Sequence, residues 1–82
     1  MDLVKLTETI ITRIVSDPES VSVKEFETDE ENTIKIEVLI SSDDMGRVIG
    51  KDGKIINSIR TVVQAASSLE DNKKVRINVD SY

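Results

Sequence analysis

Apolar residues at Leu3, Leu6, Ile10 and Ile14, with Val4, Ile11 and Val15 on the same side, recur at the three- and four-residue spacing of a one-sided helix. The pattern predicts an amphipathic helix over residues 2–17, ended by Asp17-Pro18, because the residue before a proline is pushed out of the helical region. Two stretches rich in β-branched residues follow, SVSVKEFE (20–27) and TIKIEVLI (33–40). The second alternates at Ile34, Ile36, Val38 and Ile40, and the polar TDEEN between the two reads as a hairpin turn. In the first, Glu25 takes the inward parity after Val23 and Phe26 the outward one, and a bulge near Lys24 would restore the alternation.

Ser41, Ser42 or Asp43 is placed to cap a short helix running through Val48. A longer helix is predicted from Lys54 to Leu69, with Ile55, Ile56, Ile59, Val62, Val63, Ala66 and Leu69 apolar, and a last strand carries Val75, Ile77 and Val79 on one face. The order is α-β-β-α-α-β. Two helices join the strand at 33–40 to the strand at 75–79, so these two are expected to lie parallel, with the hairpin strand antiparallel beside them. The expected fold is α+β, a three-stranded mixed sheet with three helices on one face, and residues 1–82 form one domain.

Composition narrows the chemistry. Histidine and cysteine are both absent, which removes zinc sites built from them, disulfides, thiolate nucleophiles and an imidazole base. The abundant carboxylates sit mostly in solvated strand and loop positions such as Glu30 and Glu31, with no nucleophile, base and orienting group to assemble, so no enzyme is expected. Neither a metal nor a cofactor is expected. No apolar run approaches the roughly 18 residues that cross a bilayer, and the start Met-Asp-Leu lacks a basic leader and an apolar block, so a cytoplasmic protein without membrane contact is expected.

Charge is unevenly spread. Residues 1–44 carry four basic and twelve acidic side chains, whereas residues 45–82 carry seven basic and four acidic ones, against a net charge of −5 for the whole chain. All three glycines and four of the basic residues fall within MGRVIGKDGKIINSIR (45–60). A helix opening just after Gly53 presents unpaired amides and a partial positive charge, and glycines lack the Cβ that would hold a phosphodiester backbone away. Lys51 lies inside the turn, Arg47 about one helical turn before it and Lys54 just after, which together suit a chain of phosphates. Asp52 opposes this unless it turns outward or caps the following helix. The glycine spacing fits neither the Rossmann fingerprint nor the P-loop.

The run Ile49-Gly50-x-x-Gly53-x-x-Ile56-x-x-Ile59 resembles the signature of the KH domain, a single-stranded nucleic-acid module, and the element order is similar to its type II, bacterial form. GRVIGKDG, SIRTVV and KKVRINV resemble the small stand-alone KhpA family, and the likeness covers essentially the whole chain. The resemblance implies that Gly50, Lys51, Asp52 and Gly53 clamp the backbone of about four nucleotides, with Arg47 and Lys54 as phosphate neighbours. It implies bases in a groove between the two motif helices and the sheet edge, against Ile49 and Ile56, although both isoleucines also suit plain core packing. Arg60, two turns into the long helix, falls outside the clamp. The partner that the resemblance implies is single-stranded RNA, with single-stranded DNA as the alternative. With Phe26 and Tyr82 as the only aromatics on an acidic body, binding is expected to be weak, tolerant of sequence and reduced by salt.

At about 100° per residue the apolar positions of the long helix span roughly 140°, wider than the roughly 100° stripe that packing on a sheet uses. The signature assigns Ile56 and Ile59 to the interior, leaving the Ile55, Val62, Leu69 edge partly exposed, for a protein partner or else for a loop folding over it. The resemblance implies self-association and pairing with a larger, Jag-like KH protein (KhpB), in post-transcriptional regulation or RNA chaperoning linked to cell-wall growth and cell shape. The competing reading is a protein-interaction and dimerisation module whose turn has lost its RNA affinity, favoured by Asp52 and the overall acidity.

Overall fold

The computed structural model describes residues 1–82. Its centre is the alternating strand β2 (Thr33–Ile40), whose Ile36, Val38 and Ile40 are completely buried. The hairpin strand β1 (Ser22–Glu27) pairs with it antiparallel, and β3 (Lys74–Ser81) pairs parallel on the other side, giving the order β1-β2-β3. Helices α1 (Leu3–Thr12), α2 (Met45–Ile49) and α3 (Lys54–Glu70) cover one face of this mixed sheet. Leu3 and Ile11 from α1, Val48 from α2 and Ile56, Ile59 and Val63 from α3 close the core over Val23, Ile36, Val38, Ile40 and Ile77. Burying each such aliphatic side chain contributes about 1.5–3 kcal/mol before entropy is counted. The α-β-β-α-α-β order and the parallel β2–β3 pairing agree with the sequence pattern.

Three local expectations are corrected. Helix α1 stops at Thr12, well before Pro18: the Ile14 and Val15 amides both return to the Ile11 carbonyl, at 3.0 and 3.2 Å, and a carboxylate from elsewhere takes the next two. The Ser16 N–H donates to Asp44 Oδ1 at 2.9 Å and the Asp17 N–H to Asp44 Oδ2 at 3.2 Å. The predicted bulge is absent: β1 pairs with β2 in unbroken register from Ser22↔Leu39 to Glu27↔Ile34. Glu25 keeps its inward parity and stays exposed, since only the Val23 end of this edge strand is covered by helix. Finally, no side chain of Ser41, Ser42 or Asp43 caps α2; a 3₁₀ turn over Ser42–Asp44 leads into it.

Two buried polar residues complete the helix faces. The Thr7 hydroxyl donates to the Leu3 carbonyl at 2.8 Å and the Ser67 hydroxyl to the Lys73 carbonyl at 2.7 Å, so neither is left unpaired in the core.

Candidate nucleic-acid interface

The turn between α2 and α3 is built by two glycines in conformations that other residues avoid. Gly50 has φ 75° and ψ 177°, and Gly53 has φ 75° and ψ 14°, with Asp52 between them also left-handed at φ 57°. The Gly50 N–H closes α2 onto the Gly46 carbonyl at 2.9 Å, and the Gly53 N–H turns back to the Gly50 carbonyl at 3.3 Å. A single 3₁₀ turn, Lys51–Gly53, then opens into the 17 residues of α3. No side chain caps either the turn or α3, but the turn's own carbonyls take part of the expected free amides, the Lys54 N–H donating to the Lys51 carbonyl. What the helix start offers an anion is therefore chiefly its partial positive charge.

The side chains follow from this geometry. Lys51, Asp52 and Lys54 are exposed, and Asp52 turns outward without capping α3. Arg47 is exposed and placed by an ion pair, its Nε 3.4 Å from Asp44 Oδ1. The two glycines differ in what excludes a side chain. A Cβ on Gly50 would lie 2.6 Å from Ile55 Cγ1, whereas on Gly53 its nearest neighbour is Asn57 Nδ2 at 3.6 Å. Gly50 is therefore required inside the protein, whereas at Gly53 a Cβ would make only ordinary contacts, so packing does not demand glycine there. Of the two isoleucines placed beside the clamp, Ile49 is half-buried and Ile56 lies in the core at 4% exposure, so only Ile49 retains a surface for a base.

Asp44 was not singled out by its sequence neighbourhood, yet it anchors the first motif helix. Its fully buried carboxylate accepts the Ser16 N–H, the Ser16 hydroxyl at 2.8 Å and the Asp17 N–H, joining the α1–β1 connection to the start of α2. The Ser16 amide chiefly, with the Ser16 hydroxyl, the Asp17 amide and the Arg47 charge, holds its pKa below the ordinary 3.8 despite the opposing effect of burial.

Farther along α3, Arg60 turns away from the clamp to the sheet. Its Nε and Nη2 donate to the Ile77 carbonyl at 3.2 and 3.0 Å, and Nη1 donates to Asn57 Oδ1 at 3.1 Å. One turn on, Gln64 accepts the Val75 N–H and donates to the Lys73 carbonyl, both at 2.9 Å. These side chains occupy backbone groups along the outer edge of β3, which would otherwise offer themselves to another strand. The groove between α3 and β3 is thus lined by Arg60, Thr61, Gln64, Ala65 and Val75.

Comparison with known proteins locates this architecture. The family model "KhpA/KhpB, KH domain" matches residues 4–79. The chain is 44% identical over 75 residues to RNA-binding protein KhpA of Clostridium perfringens, covering 92% of this chain and 96% of that one. The same protein of Listeria monocytogenes is also 44% identical over 75 residues, covering 92% and 95%, and that of Thermotoga maritima is 40% identical over 75 residues with the same coverage. Among solved structures, Era in complex with MgGDPNP and nucleotides 1506–1542 of 16S ribosomal RNA superposes with a TM-score of 0.71 at 19% identity. Aquifex aeolicus Era superposes with a TM-score of 0.69 at 18% identity; in both, 96% of this chain matches only 29% of the larger protein, a likeness of fold.

Proposed function

The chain belongs to the KhpA/KhpB KH-domain family, and from that premise we propose that it grips single-stranded RNA by its backbone through the Gly50–Gly53 turn. The observation that carries this reading is the uncapped α3 N-terminus beside an exposed Lys51–Gly53 turn, with Lys54 next to it and Arg47 held by Asp44. The α3 dipole and three exposed cations, Arg47, Lys51 and Lys54, surround a turn where Gly53 has no Cβ to hold a phosphate away, the Gly53 and Lys54 amides being taken by the Gly50 and Lys51 carbonyls. The protein acts by binding and is not an enzyme, in keeping with the relatives' name of RNA-binding protein. Residues 1–82 work as a single KH domain in the cytoplasm, and no helix is long and apolar enough to cross a membrane. Chaperoning and post-transcriptional regulation are the roles such a weak, sequence-tolerant grip suits.

Titration of a fluorescent unstructured RNA and a hairpin duplex of equal length tests the grip. The unstructured strand is expected to bind more tightly, and affinity for it to fall as salt rises. Preference for the duplex would reject a clamp that needs an isolated backbone.

A second reading adds a partner through α3. Val62 and Leu69 are 51% and 87% exposed, and Ile55, on the same line, is 38% exposed because part of it packs over Gly50. Two copies meeting along this line would place two clamps in one assembly, and weak sites on one strand gain by effective concentration. The same line would serve a larger KH protein. Val62→Asp is expected to give a folded monomer by light scattering, and a dimer that survives the substitution would place the interface elsewhere.

A further inference from the structure

The sheet face turned away from the helices carries a different composition from the rest of the surface. The strand registers put Lys24 and Phe26 of β1, Lys35 and Glu37 of β2, and Lys74, Arg76 and Asp80 of β3 on this face. It thus holds four of the chain's eleven basic residues and only two of its sixteen acidic ones. The acidic excess of the protein lies elsewhere.

Within this face the chemistry is concentrated in one row. Phe26 is paired with Lys35, and Lys35 with Arg76, so an aromatic ring and two cations run straight across the three strands. Adjacent strands lie about 4.8 Å apart, which makes the row about 10 Å long. Lys24 and Lys74 flank it on neighbouring rows. Phe26 is 48% exposed, although an unpaired phenylalanine ring is disfavoured in water. The partners of Lys35 and Arg76 are surface carboxylates, Glu37 and Glu30, each at 3.0 Å. Exposed pairs of this kind contribute little and give way readily to a phosphate.

The row is continuous with the groove between α3 and β3. A concavity lined by Arg60, Lys74, Arg76, Ile77, Asn78 and Lys35 wraps round the edge of β3, from α3 on one side to the open sheet on the other. A second shallow trough, with Phe26 and Leu39 as its apolar lining, continues across β1 and β2.

We infer that the open face of the sheet is a second contact surface for the same RNA strand, with Phe26 stacking a base and Lys24, Lys35 and Arg76 meeting the phosphates on either side. An aromatic platform set among cations on a sheet is the arrangement that holds single strands without reading sequence. The strand leaves the clamp along α3, passes Arg60 and crosses the edge of β3. This inference rests on the single-stranded RNA reading, and RNA length separates the two.

The test compares a four-nucleotide oligomer with a sixteen-nucleotide unstructured RNA, for wild type, Phe26→Ala and Phe26→Leu, with the fold checked by circular dichroism. Phe26→Leu keeps apolar bulk on the strand and removes the ring. Both variants are expected to bind the short oligomer as wild type does and the long RNA about tenfold more weakly, the scale of one lost base–aromatic stack. In amide NMR spectra, Phe26, Lys35 and Arg76 should shift on adding the long RNA only. Unchanged long-RNA affinity in both variants, with wild type binding normally, overturns the second surface while leaving the clamp intact, and would reserve this face for a protein. Absence of RNA binding by wild type at either length overturns both.

Discussion

Lys51→Asp is expected to lower affinity for unstructured RNA by at least about tenfold while the protein stays folded, the loss expected when a basic contact to the backbone becomes a repulsive one. Lys51 is exposed and takes part in none of the ion pairs of the fold, so reversing its charge removes no internal contact. Its position makes the reversal costly for binding. The turn already contains the outward carboxylate of Asp52, and a second one would set two adjacent negative charges against the incoming phosphates at the α3 N-terminus. The slope of affinity against salt should also fall by about one released counterion. Anisotropy titrations at several salt concentrations read both quantities. An unaltered affinity and slope would move the phosphate site away from this turn.

What the sequence revealed and what it concealed divide along a physical line. The alternation of β2 and the wide apolar stripe of α3 are period signals, and both survive because the elements they describe are packed along most of their length. The glycine turn was legible for a similar reason: positive φ at Gly50 and Gly53 leaves a mark in residue type. The misreadings come from packing that residue spacing does not mark. Beyond the stop of α1, Asp44 takes the amides of Ser16 and Asp17 from 28 and 27 residues away and so keeps the helix from resuming before Pro18. The bulge was inferred on the assumption that inward parity means burial, whereas Glu25 sits where an edge strand runs past the helices above it. The sequence rightly sets Arg60 apart from the clamp, but its partner, the Ile77 carbonyl of β3, was not legible there. Gly50 looked like a vacancy made for phosphate, and the structure gives that space to Ile55.

That last difference predicts that the two clamp glycines will fail in opposite ways. Gly50→Ala should destabilise the fold by about 3 kcal/mol, because φ 75° with ψ 177° is a region essentially reserved to glycine and the new methyl also meets Ile55. In a domain of this size the melting temperature would drop by about 15 °C. Gly53→Ala keeps a left-handed conformation that costs about 1 kcal/mol, and its methyl reaches nothing closer than 3.6 Å. That methyl instead stands where a phosphate would approach, so the Gly53 variant should melt close to wild type and bind RNA more weakly. Trimming Ile55 in the Gly50→Ala background removes the clash and leaves the backbone strain, so only part of the stability should return. Thermal unfolding of the three variants reads this directly. Equal losses at Gly50 and Gly53 would mean that Ile55 does not press on Gly50 in solution, and the division of labour between a structural glycine and a binding glycine would collapse.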